Sequence, residues 1–175
     1  LQSCYLAPHG WNVLAIDLPG QGRSTGKPPA TVEAAADTVL ALLKAQGIDQ
    51  AALIGHSFGS LIALEAAARA PAHVSHLALA GTAFPMLTSN AETNVFHAGF
   101  VACDSYAGGA QAMAAVHCPT LFLVGRHDQM TPPKSARALA EHARLGKIVE
   151  VNAGHAMMTE APDEVLRALR EFLAE

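Results

Sequence analysis

A serine hydroxyl is a poor nucleophile at neutral pH, so a protein that uses one places a base beside it and an acid behind the base. Three positions in this 175-residue chain have the types and settings for that work: Ser57, Asp128 and His155. Ser57 lies in Gly55-His56-Ser57-Phe58-Gly59, straight after the apolar run 51–54 and straight before an alanine- and leucine-rich stretch. Strand, sharp turn and helix in that order lift a serine above a sheet as a nucleophile elbow, and glycines two residues to either side relieve the crowding there. The helix expected from Phe58 aims its positive end at the same point. The Phe58 N–H is therefore the candidate donor to an oxyanion formed when Ser57 attacks. His155 is the candidate base, and Asp128 the acid that holds the imidazole in one tautomer.

These residues need a scaffold that brings distant segments together. Residues 12–17, the run before Gly55, residues 76–80, 119–125 and 147–151 read as short buried strands. Between them lie helical patterns: 31–46 with Thr31 as N-cap and Gly47 as stop, a helix from Phe58 to just before Pro71, one opening at Pro132 or Pro133, and 163–174 with Val165, Leu166, Leu169, Phe172 and Leu173 on one face. Strands alternating with helices predict an α/β fold, a mostly parallel sheet with helices on both faces. In such a sheet ligands bind beyond the carboxyl ends of the strands, and Ser57, Asp128 and His155 all fall at such ends. Residues 84–117 break the rhythm, with weak helical periodicity only near 110–116, and read as a short lid within a single domain spanning 1–175. Asp17 and Ser24 are expected to brace the turn-rich loop 18–24, and Pro8-His9-Gly10 reads as a solvated turn.

Bulk properties narrow the partners. Fifteen acidic against eleven basic residues give a net charge of −4 with no basic run, which argues against nucleic acid and anionic lipid. No apolar run is long enough to span a bilayer. Three scattered cysteines do not form a disulfide framework and fit a reducing cytoplasm. Nine histidines are present, yet none shows metal-ligand spacing, so neither a metal nor another cofactor is expected. His56, Met130 and Met157, with Met158 beside the last, are the candidates to line an apolar substrate pocket.

Taken together, Asp17-x-x-Gly20-x-Gly22-x-Ser24, Gly55-His56-Ser57-Phe58-Gly59, Gly125-x-x-Asp128-x-x-Thr131-Pro132 and Gly154-His155 resemble the α/β-hydrolase superfamily. The likeness runs from about Trp11 to the C-terminus. It implies Ser57 as nucleophile, Asp128 as acid, His155 as base and the Phe58 N–H as half of an oxyanion hole. It also implies a small-molecule substrate: an ester or lactone opened through an acyl-enzyme, or a carbon–carbon bond in relatives that cleave one. Relative to that family the chain has no counterpart of the early strands and of the His-Gly loop that supplies a second oxyanion N–H. In the family's order the missing strand lies between residues 12–17 and the strand before Ser57, so the sheet is expected to be interrupted there. The alternative reading is a catalytically weak or inactive hydrolase-like fragment, or a module that binds a small ligand without turning it over.

Overall fold

The computed structural model describes residues 2–82 and 95–175. Four strands, β1 (Ala51–His56), β2 (Val74–Ala80), β3 (Thr120–Gly125) and β4 (Gly146–Val151), form one parallel sheet in the order β1-β2-β3-β4. Every position of β3 is buried, as a strand covered on both faces requires.

Because each strand lies beside the next in sequence, right-handed crossovers place the connecting helices on one face. That face carries α2 (Val32–Ala45), α3 (Phe58–Arg69), α5 (Gly109–Ala115) and α6 (Pro133–Ala140), whose apolar residues share a core with Leu77, Leu79, Phe122 and Val124. The intervening residues Ala78, Ala80, Leu121 and Leu123 point the other way, into a second core with α7 (Met157–Glu160) and α8 (Pro162–Leu173). This alternation is the two-residue period of a pleated strand. The helix ends follow local chemistry: Thr31 Oγ1 accepts the Ala34 N–H at 3.1 Å to open α2, and Gly47 at φ +65° follows its end. At the N-terminus α1 (Gln2–Leu6) leans on α8, with the Arg170 guanidinium 5.6 Å from the Tyr5 ring centre.

Three expectations are corrected. Residues 12–17 run without sheet pairing, because a strand needs a hydrogen-bonded neighbour and the sheet ends at β1. Their apolar side chains stay partly exposed, Leu14 at 51%, and on the edge strand β1 Ile54 is 41% exposed. Within the expected lid, Val95–Ser105 forms helix α4, whose Cys103 joins Tyr106, Val32 and Leu61 in a small buried cluster. Residues 83–94, the rest of its first half, lie outside the described residues. Finally, β2 begins at Val74, two residues before the expected start.

Candidate active site

The turn at the end of β1 holds Ser57 at φ +53° and ψ −123°, the one non-glycine residue with positive φ among those described. Such a conformation costs on the order of 1–3 kcal/mol and persists only where its surroundings enforce it. Here the Ser57 N–H donates to the Ala80 carbonyl at 2.9 Å, and Ser60 donates its backbone N–H (2.8 Å) and its hydroxyl (2.6 Å) to the Ser57 carbonyl. Gly55 is obligatory, since a Cβ there would run into the Gly59 carbonyl and the Ser60 backbone. A Cβ at Gly59 would meet nothing within 4 Å, so the steric demand falls on one glycine of the pair. Phe58 opens α3, and its N–H is among the first-turn amides that have no acceptor within the helix.

Beyond β3, Asp128 is 2% exposed and accepts four hydrogen bonds. Oδ1 takes the Met130 N–H (2.9 Å) and the Thr131 N–H (2.8 Å), while Oδ2 takes the Thr131 hydroxyl (2.5 Å) and His155 Nδ1 (2.9 Å). Burial pushes this carboxyl up, but the donors from Thr131 and His155 outweigh burial and hold it below the usual carboxylate value. An ionised carboxylate only accepts, so Nδ1 of His155 carries the proton and Nε2 presents its lone pair. That lone pair lies 2.9 Å from Ser57 Oγ, which donates to it.

The loop bearing His155 is tied down along its length. Glu160 accepts the Gly154 N–H at 2.6 Å, Glu164 accepts the Asn152 N–H at 3.1 Å, and the His127 N–H donates to the Ala153 carbonyl at 3.0 Å. A side chain at Gly125 would strike the Gly154 and Ala153 carbonyls, so this glycine lets the two loops touch backbone to backbone. Chemically, the chain Ser57–His155–Asp128 can draw a proton off the serine while the hydroxyl oxygen attacks, and can hold the resulting imidazolium against a carboxylate.

The other candidates divide. His56 lines the cleft beside Ser57, half-buried, with Nε2 2.8 Å from the His155 carbonyl. Met130 is 50% exposed and lines the same cleft. Met157 does not: it is fully buried in the core beneath α8, because α7 turns it inward, and its neighbour Met158 faces the cleft instead. Asp17 braces its loop, accepting the Arg23 N–H at 3.0 Å on its side chain and the Ser24 hydroxyl at 2.7 Å on its carbonyl. Sequence reasoning gave Thr131 no separate role, although an Asp with a Thr three residues on is the signature of a carboxylate capping its own turn. Among the described residues no three His, Cys, Asp or Glu side chains gather as a metal-binding group.

The cleft measures about 1580 Å³. It is lined by Ser57, Phe58 and His155, by residues of the open edge strand β1, and by Trp11, Leu14 and Ile16. Residues 4–102 match the family described as the alpha/beta hydrolase fold. The chain belongs to that family. A pimeloyl-(acyl-carrier protein) methyl ester esterase of Neisseria meningitidis serogroup A is 41% identical over 83 residues, 47% of this chain and 25% of that protein. Lipase LipV of Mycobacterium tuberculosis is 40% identical over 67 residues, 38% of this chain and 26% of the lipase. The matched stretch thus spans about a quarter of these relatives' length. Among solved structures, the enol-lactonase of Burkholderia xenovorans LB400 superposes with a TM-score of 0.80 at 22% identity, covering 91% of this chain and 79% of that one. A hydrolase from Pseudomonas aeruginosa PA01 gives 0.80 at 22% identity over 91% and 78%. For an alpha/beta hydrolase the site lies where the fold puts ligands, past the carboxyl ends of parallel strands.

Proposed function

We propose that this alpha/beta hydrolase cleaves small carboxylic esters or lactones through an acyl-enzyme, with Ser57 as nucleophile, His155 as general base and Asp128 as the acid that orients it. The observation that carries this reading is the unbroken hydrogen-bonded chain from Ser57 Oγ through His155 to Asp128. Ser57 Oγ bonds to the ester carbonyl carbon as its proton passes to His155 Nε2, and the carbonyl oxygen becomes an oxyanion facing the Phe58 N–H and the N-terminus of α3. Collapse of that intermediate breaks the bond to the alkoxy group, which leaves with the proton from His155. Water, deprotonated by the same imidazole, then releases the acid and restores Ser57. Esterase and lactonase activities among the relatives and neighbours support this substrate class. No helix of the described residues is long and apolar enough to cross a membrane, and the free thiols of Cys4, Cys103 and Cys118 suit the reducing cytoplasm we assign.

Intact-mass analysis after treatment with a fluorophosphonate tests the assignment. One adduct on the wild-type chain and none on Ser57→Ala is expected, and equal labelling of the two would overturn it. A second reading, ligand binding without turnover, is favoured by the open edge of β1 beside the serine. It predicts no adduct and no hydrolysis of an aryl ester.

A further inference from the structure

The anchors that hold the loop after β4 reach residues 152–154, whereas the main chain of His155 itself is reached from the other side of the site, by His56. His56 ends β1 and immediately precedes Ser57 in the chain. Its Nε2 lies 2.8 Å from the His155 carbonyl oxygen. A carbonyl only accepts, so Nε2 carries the hydrogen and the neutral ring is the Nε2–H tautomer. The two imidazoles lie tilted against each other, with centroids 5.0 Å apart and planes inclined at 38°. Gly81, at the exit of β2 and with φ +53°, forms the floor under both: a Cβ there would come within 3.3 Å of His155 Cε1 and Nδ1 and within 3.4 Å of His56 Cδ2. Three strand ends therefore meet at one pair of rings.

We infer that His56 is a positioning residue, whose hydrogen bond to the His155 carbonyl sets the distance between His155 Nε2 and Ser57 Oγ. The inference rests on the reading of Ser57 as nucleophile. The hydrogen bond ties the loop carrying the base to the residue adjoining the nucleophile, so the two move as one body even though β1 and β4 are the outer strands of the sheet. The ring's charge state suits this work. The groups facing it are His155 from the end of β4 and Asp128 from the end of β3, and burial is the main influence holding its pKa below the ordinary histidine value. A neutral His56 adds no positive charge next to the imidazolium that His155 becomes during attack.

The test compares His56→Gln, whose side-chain amide nitrogen can reach the place of Nε2, with His56→Asn, which is too short, and His56→Leu, which has no donor. With 4-nitrophenyl acetate, kcat is expected to fall about tenfold to a hundredfold in the Asn and Leu variants with KM within about twofold, the size expected when a catalytic group is displaced by about 1 Å. The Gln variant is expected to recover most of the loss. Imidazole proton–nitrogen NMR gives a readout that needs no turnover: the His155 ring signals should coincide in wild type and His56→Gln and shift in His56→Asn. Equal kcat for Gln and Asn, or His155 signals indifferent to both substitutions, overturns the positioning role. A wild-type chain that shows this NMR pattern but takes no phosphonate at Ser57 would keep the ring contact and remove the nucleophile assignment instead.

Discussion

At the scale of single residues, the site depends on groups that each have one tolerable form. Asp128 must remain an acceptor on both oxygens, because its four donors leave no room for a proton or an amide NH₂. Asp128→Asn is therefore expected to cut kcat by up to about 10⁴ through the wrong His155 tautomer, with far-UV circular dichroism unchanged. Gly55→Ala tests a different constraint. Its Cβ meets backbone, which cannot swing aside, so a loss of about 1–3 kcal/mol or more is expected from urea unfolding. Gly59→Ala, whose Cβ has open space, should lose none of that steric term and so separates the two glycines of the motif. Ser57, Asp128 and His155 were legible in the sequence because each terminates a short apolar run and chemistry restricts what can sit there. Which of Met157 and Met158 faces the cleft was not. Consecutive helical residues point about 100° apart, and nothing in a four-residue helix preceded by a loop sets its rotation except the core it lands on.

At the scale of elements, β3 and α8 were plain in the sequence, β3 buried at every position and α8 along one face. Leu169 is fully buried between α8 and the sheet, so Leu169→Ala is expected to cost about 2–5 kcal/mol, read from chemical denaturation. α4 escaped notice because Val95–Ser105 mixes small and apolar residues without a clear polar face. Its place follows from contacts with Val32 and Leu61, far away in the chain. The stretch 12–17 fails in the opposite way. Its composition suits a strand, but composition records only a liking for burial and pleat, while pairing needs a neighbour that the sheet order does not supply.

For the whole molecule, two consequences follow from charge and from the unpaired sheet edge. His56 and Asp128 both titrate lower in the folded chain than when unfolded, so the unfolded chain binds more protons and stability rises with pH. The His56 contribution is complete above its ordinary value of 6.5 and is lost as pH falls from there through the folded value. That of Asp128 is complete above 3.8 and is lost further down. Urea midpoints should accordingly fall in two stages on acidification, and the first stage should shrink in His56→Leu. The exposed edge of β1, with Ile54 half in solvent, is a template for pairing with another chain. Ile54→Lys is expected to reduce concentration-dependent association in sedimentation velocity.

The lining of the cleft includes Trp11, the single tryptophan of the chain. Indole emission from this protein therefore has one source, and that source lines the same cleft as the edge of β1. Anything that enters there, and any rearrangement that draws residues 11–18 toward β1, will change the polarity around one chromophore. The molecule thus contains its own optical gauge of cleft occupancy, readable without a label.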